Sequence, residues 1–364
     1  MNAVTSERKA RIALNKVSEP MDIRIASLVD ELGVMGAWRQ VCSGQGKDQE
    51  RFAARIADLD LDRTLHVAER LSIRVLIPGD PEWPSGLDEL LLPPLCIWVR
   101  GPADLAASVV RSASVVGARL ATSYGEGVAR EISYDLAARG FCIVSGGAYG
   151  IDAAAHRGAL AGDGVTIAAM AGGVDRLYPA GNRDLLEEIL RTGVVLSESP
   201  PGSSPQRHRF LARNRLIAAL TPGTIVVEAG IRSGSLNTAR NAEMLNRIVA
   251  AVPGPVTSTS SVGTNELIRS GIASLVTDAA ECAELLGSLG TDLAPQVHSA
   301  ATATDELPDV PRRVFDALPI RRSSTVDQLT RSAGLSVGDV LGGLGALELR
   351  GLAARADDGW RRAG

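Results

Sequence analysis

Apolar residues change their spacing three times along the chain, and each change marks a candidate structural unit. They fall at Ile23, Ile25, Leu28, Val29 and Leu32, then recur at helical intervals from Phe52 to Leu71, with charges of both signs between them. One apolar stripe per helix and a nearly balanced polar face predict a small all-helical domain over residues 1–75. A proline-rich stretch follows from Pro78 to Gly101. Its prolines exclude a long helix, since each removes a backbone donor, but the apolar run Leu95 to Val99 suits a strand buried on both faces.

From Ala113 the pattern becomes regular. Short β-branched runs recur at Ser114 to Val116, Cys142 to Val144, Thr166 to Met170, Val194 to Leu196, Thr224 to Val227 and Ile248 to Val252. After most of them comes a glycine-rich turn and a helix-length segment, such as Gly125 to Arg139, Asp152 to Gly162 or Arg183 to Thr192. Strand, turn and helix in repetition predict an α/β fold over residues 76–285, a Rossmann-like parallel sheet with helices on both faces. Residues 286–307 are small, polar and without periodicity, so they read as a linker. Beyond them Pro311 to Leu318, Thr325 to Ala333 and Ser336 to Arg350 have helical spacing, and Leu352 to Ala356 with Trp360 to Arg362 flanks an Asp358-Gly359 turn. Helices followed by a hairpin outline a winged helix over residues 308–364.

Composition narrows the functional classes. At 364 residues with 45% hydrophobic and 22% charged positions, a mainly disordered chain is excluded. Cys42, Cys96, Cys142 and Cys282 lie far apart, without a C-x-x-C pair or a histidine at ligand spacing, so neither a metal site nor a disulfide framework is expected. The polar N-terminus and the lack of a long apolar run predict a soluble, cytoplasmic protein without a membrane partner. A net charge of −4 announces no global basic field. Locally the picture differs, because no acid occurs from Ser199 to Val227 while Arg207, Arg209, Arg213 and Arg215 fall inside that stretch. That excess points to an anion site.

The candidate chemistry lies at the strand ends. In VVGARLATSYG, Gly117 would let a ligand approach the backbone, Arg119 projects from the strand end, and Thr122 or Ser123 can cap the next helix. In SGGAYGIDAAAH, Ser145, Gly146, Gly147 and Gly150 form a loop of the kind that offers N–H groups to phosphate. Asp152 then reads as a helix cap, and His156, four residues on, as its hydrogen-bond partner. Gly172 and Gly173 repeat the close-approach device after the third run. Phe210, Arg213, Asn214 and Ile217 share one helical face, and Ser233-Gly234-Ser235 after Arg232 leads into another helix. No nucleophile, base and orienting group can be assembled as a set, and Glu228 stands as a lone carboxylate. The chemistry available is phosphate holding, and no cofactor is implied.

The ordered series VVGAR, SGGAYGIDAAAH, TIAAMAGGVDRLYP, VLSE, FLARNRLIA, VVEAGIRSGSLNTA, AVPG and GTNELI resembles the DNA-processing protein A family, DprA or Smf, over about Ala113 to Ala273. The resemblance implies a non-catalytic, dimeric protein that binds single-stranded DNA, protects it, and hands it to the RecA recombinase during natural transformation. It also likens residues 1–75 to a sterile-alpha-motif-like domain and the tail to the family's winged helix. By motif it assigns DNA contact to Arg119, the loop Gly146, Gly147 and Gly150, the helix residues Phe210, Arg213 and Arg215, and Arg232, Ser233 and Gly234. Gly147 departs from the commoner SGLA loop, and Arg232 from a frequent lysine. A second reading is a lysine-decarboxylase-like nucleoside monophosphate phosphoribohydrolase, which has a similar sheet. Its phosphate loop is followed by an acid, and here AGIRSGSLNTAR has none before Glu243.

Overall fold

The computed structural model of the chain describes residues 6–44, 49–288, 290–295, 306–356 and 358–363. It divides into two compact units, Met1–Pro295 and Gln296–Gly364. The first begins with four helices, α1 (Glu7–Val17), α2 (Ile23–Ser43), α3 (Gln49–Ala57) and α4 (Leu61–Arg70). The Phe52 to Leu71 pattern thus breaks in two, where Asp60 caps α4 by accepting from the Arg63 N–H. Within α2, Gly33 departs from helical geometry at φ +66°. The α1 helix also joins the sheet: Ile12 enters its core, and the amide of buried Asn15 accepts from Trp98 Nε1 and donates to the Glu198 carbonyl.

Nine strands form one sheet, β1 (Ile73–Leu76), β2 (Ile97–Arg100), β3 (Ser112–Val116), β4 (Cys142–Ser145), β5 (Thr166–Ala169), β6 (Val194–Ser197), β7 (Gly223–Val226), β8 (Ile248–Ala251) and β9 (Ser274–Leu275). Their order is β1-β2-β6-β5-β4-β3-β7-β8-β9. The strands from β3 onward pair in parallel. The pair β1 and β2 adds an antiparallel edge beside β6. Alternate residues of the central strands enter different cores, Val115 and Ile225 one and Val116 and Val226 the other. Both faces are therefore covered, as parallel sheets require, and each fully buried Val or Ile contributes roughly 1.5–3 kcal/mol.

The connecting helices are α5 (Leu105–Val109), α6 (Ser123–Ala138), α7 (Ile151–Ala161), α8 (Arg183–Thr192), α9 (Arg207–Leu220), α10 (Ser235–Met244), α11 (Val262–Arg269) and α12 (Ala279–Leu286). Leu216 of α9, Ala239 of α10 and Leu267 of α11 pack on one face. Ile132 of α6, Ile151 of α7 and Cys282 of α12 cover the other. The four cysteines are free thiols, all buried except the half-buried Cys42. Among the described residues no helix is long and apolar enough to cross a membrane.

The second unit contains α13 (Asp309–Ala317), α14 (Val326–Ala333), α15 (Val337–Leu349), β10 (Ala353–Ala356) and β11 (Gly359–Arg362). Thr325 and Gln328 cap α14 reciprocally, and Gly343 lets α15 approach Val314 of α13, where an added Cβ would lie 2.7 Å from Val314 Cγ2. Leu307, Val314, Leu329, Leu344 and Trp360 build its own core, and Ser324 pairs with Trp360 beside the hairpin. This is a winged-helix arrangement. The middle of the segment read as a linker, residues 296–305, lies outside the described residues.

Candidate functional site

The strand order reverses between β3 and β7, because β4, β5 and β6 follow β3 on one side and α9 then carries the chain back to its other side. Loops leaving the carboxyl ends of two such strands diverge, and the crevice between them is where open parallel sheets bind ligands. A cleft of about 810 Å³ lies there, lined by Gly117 to Leu120 after β3, the start of α9, and Gly230 and Arg232 to Ser235 after β7.

Backbone and carboxylate contacts hold the rim together. The Ala118 N–H donates to the Glu228 carbonyl at 2.7 Å, and the Ala118 carbonyl accepts from the Ile151 N–H at 3.2 Å. The buried Glu228 carboxylate accepts from the Thr122 N–H at 2.8 Å and from its hydroxyl at 2.9 Å. Gly117 is needed for this packing, since a Cβ there would lie 2.5 Å from Ile151 Cγ1 and 2.8 Å from the Glu228 carbonyl. Glu228 is therefore a brace between strand ends.

Arg119, Arg207 and Arg232 are exposed on this cleft and make no hydrogen bond or ion pair among the described residues. The Arg119 guanidinium lies 4.5 Å from the centre of the Phe210 ring, close enough for a cation–π contact that holds it over the cleft. Ser233 and Ser235 share a 2.7 Å hydroxyl contact. The first N–H groups of α10 are engaged locally, Ser235 donating to the Ser233 hydroxyl at 3.4 Å, Leu236 to the Ser233 carbonyl at 3.3 Å and Asn237 to the Gly234 carbonyl at 3.1 Å. Asn214 donates to the Gly234 carbonyl at 3.1 Å and so fixes α9 against that loop. Beside the cleft, Tyr149, Tyr178, Pro179 and Phe210 enclose a hollow of about 60 Å³.

Several sequence-predicted contacts lie elsewhere. Arg215 is buried, with one nitrogen on both oxygens of Glu198 at 2.8 and 2.6 Å, so it cannot reach a phosphate. Arg209 and His208 sit on Glu19. The stretch without acids in sequence thus meets Glu19 from far along the chain and Glu198 from just before it, and the expected excess shrinks. Arg213 lines the cleft but is buried, donating to the Gly146 carbonyl at 2.7 Å and to the Ala169 carbonyl. Burial lowers its pKa to about 10, against the pull of Asp152. Burial raises the pKa of Asp152, and the charge of Arg213 opposes the rise.

The expected phosphate loop is also largely internal. Ser145, Gly146 and Gly147 are buried, and Ser145 donates to the Val115 carbonyl at 2.6 Å. A Cβ on Gly146 would lie 2.5 Å from Arg213 Nη2 and 2.6 Å from Asp152 Oδ2, so this glycine makes room for that pair. Gly147 and Gly150 adopt φ of +66° and +72°, which glycine alone takes readily. Gly172 and Gly173 lie under the segment before α9, Gly173 donating to the Ser203 carbonyl at 3.0 Å. His156 does not bond Asp152. Its Nδ1 meets the Thr166 hydroxyl at 2.7 Å, and that hydroxyl donates to the Ile143 carbonyl, so Nδ1 carries the proton. Burial lowers the imidazole pKa to about 3. Thr259 and Ser260 also line the cleft. The hydroxyl run TSTSS after β8 was the signal for them.

Fold and site together define a Rossmann-like protein whose ligand cleft lies at the switch point of a parallel sheet and is rimmed by unpaired arginines. A family model described as DNA recombination-mediator protein A matches residues 74–287, and one described as DprA winged helix domain matches residues 298–359. The chain belongs to this family, DprA or Smf. A putative DNA processing protein DprA of Mycobacterium tuberculosis (strain CDC 1551 / Oshkosh) is 45% identical over 96% of this chain and 92% of its own. Protein Smf of Escherichia coli (strain K12) is 36% identical over 79% of this chain and 77% of its own. DNA processing protein A of Streptococcus pneumoniae superposes with a TM-score of 0.64 at 29% identity, over 77% of this chain and 98% of that one. The Helicobacter pylori protein, described for its unique single-stranded DNA binding mode, gives 0.53 at 31% identity, over 58% and 94%.

Proposed function

We propose that the switch-point cleft holds the backbone of single-stranded DNA without cutting it and without reading its sequence. The observation that carries this is the convergence of Arg119, Arg207 and Arg232, exposed and unpaired among the described residues, on one cleft. Guanidinium groups grip phosphate through paired N–H donors, and the Ser233 and Ser235 hydroxyls line the same cleft. The aromatic hollow beside Arg119 gives nucleobases a surface to stack on. Glu228 is held by Thr122, and among the described residues no cluster of three His, Cys, Asp or Glu side chains could hold a metal. Both facts favour holding over cleavage.

On this reading the protein shields DNA entering the cytoplasm of a transformable cell, acts as a homodimer, and passes the strand to RecA. The chain would work as a helical region over residues 1–75, a binding sheet over residues 76–285 and a tethered winged helix over residues 308–364. A gel shift comparing single strand with duplex, with and without RecA, tests it. Preferential retardation of the single strand and faster RecA filament growth are expected. Equal binding of duplex, or no effect on RecA, would overturn it.

A further inference from the structure

Three aliphatic side chains stand out in water around the basic cleft. Leu120 is 92% exposed and Leu211 51% exposed, and both line the cleft. Ile231 is 73% exposed between the lining residues Gly230 and Arg232. Isolated exposed aliphatics are ordinary on protein surfaces, but these three share one site and each accompanies a cation. Leu120 follows Arg119, Ile231 precedes Arg232, and Leu211 lies one helical turn beyond Arg207. Each of the three loops or helix starts thus brings an exposed apolar side chain together with a cation.

A single strand of nucleic acid has the complementary character, with a charged backbone and apolar base faces open to solvent. A duplex stacks those faces inside and presents phosphate, sugar and base edges instead. We propose that Leu120, Leu211 and Ile231 form an apolar rim that packs on the unstacked bases of the strand while the neighbouring arginines hold its phosphates, so that the rim selects single strand over duplex. This rests on the single-strand reading above and assigns the bases their own contacts, outside the aromatic hollow.

The test uses the full chain and fluorescence anisotropy with two labelled strands of equal length, oligo-dT and an abasic strand with the same phosphates. The unmodified protein should bind oligo-dT at least tenfold more tightly. Leu120→Ser with Ile231→Ser should reduce that preference about fivefold through weaker oligo-dT binding alone, leaving the abasic affinity and the salt slope unchanged. Both positions are exposed, and an unchanged thermal transition would verify the fold. Equal binding of the two strands by the unmodified protein, or equal weakening of both by the double substitution, would overturn the rim. Absence of binding to either strand would instead overturn the single-strand reading and the rim with it.

Discussion

Arg215 and Glu198 form a buried pair, with side chains only 4% and 8% exposed and the closest approach at 2.6 Å. Arg215 Nε and Nη1 have no partner among the described residues, so the carboxylate is the guanidinium's main compensation for leaving water. Removing one member of such a pair leaves an uncompensated charge and costs about 3–5 kcal/mol. Glu198→Ala should lower the urea-unfolding free energy by that amount, whereas Glu198→Leu combined with Arg215→Met should recover most of it. Single-strand affinity of the folded double variant should match the unmodified chain. A large loss of affinity at full stability would return Arg215 to the interface.

Arg119 and Arg232 lie on opposite sides of the cleft, on the β3 and β7 loops. Each phosphate neutralised on a single strand contributes about −0.7 to the slope of log K against log salt. Arg119→Ala with Arg232→Ala should therefore flatten the slope by roughly 1–1.5 units, equally for all base sequences. Titrations between low and moderate salt check this, and an unchanged slope would place both residues outside the DNA path.

The central sheet was legible because its strands are buried on both faces, which demands continuous β-branched runs that little else in the chain imitates. Four of the six runs read from sequence, starting at Cys142, Thr166, Val194 and Ile248, begin with β4, β5, β6 and β8 themselves, and those at Ser114 and Thr224 begin two residues and one residue into β3 and β7. The edge strand β1 went unread, since Ile73–Leu76 alternates with Arg74 and sits between a helix and prolines. Arg119 and Arg232 were legible as strand-end residues. Arg213 and Arg215 look equally available in sequence, and only the fold shows Asp152 and Glu198 brought to them. Glycines misled for a related reason. Gly146, Gly172 and Gly173 make room for other parts of the same chain, and sequence does not say whether close approach serves a ligand or a neighbouring loop.

Glu228 has both oxygens engaged by Thr122, which leaves the cleft without a free carboxylate at the end of β7. The purified protein should release no base from nucleoside monophosphates and should cut no DNA, with or without magnesium. Chromatography of the nucleotides and gels of labelled DNA check this. Multiple turnover that disappears in Glu228→Ala would make the phosphoribohydrolase reading the better one.

Glu19 joins the loop between α1 and α2 to the start of α9. Burial pushes its pKa up, but hydrogen bonds from Arg209, His208 and Arg55 outweigh burial and bring it from its ordinary 4.5 down to about 2. A carboxylate held below its unfolded value stabilises the fold fully above that value, and the contribution is lost as pH falls toward the folded one. Partial exposure screens the interaction, so the expected contribution at pH 7 is about 1–2 kcal/mol. Urea titrations of Glu19→Gln should show that deficit at neutral pH and a gap that closes between roughly pH 4.5 and 2. A constant gap across this window would mean that the charge of Glu19 is not its source.

The winged-helix unit differs from a duplex reader at the helix that would enter the major groove. Such helices carry basic and amide side chains toward base edges. In α15, from Val337 to Leu349, the only charged residues are Asp339 and Glu348, and Gly342 and Gly345 have open space where a side chain would stand. Asp339 is further engaged with Ser336, which it meets at 2.6 Å while Ser336 caps the helix. Over residues 308–364 the nine arginines face seven acids in the sequence, too small an excess to grip DNA unaided. The first unit has its own cores and holds the whole switch-point cleft. A chain ending at Pro295 should therefore bind single-stranded DNA within a few-fold of the intact protein. Fluorescence anisotropy at one fixed salt concentration measures this. A loss of tenfold or more, about 1.4 kcal/mol, would show that the tail grips DNA after all.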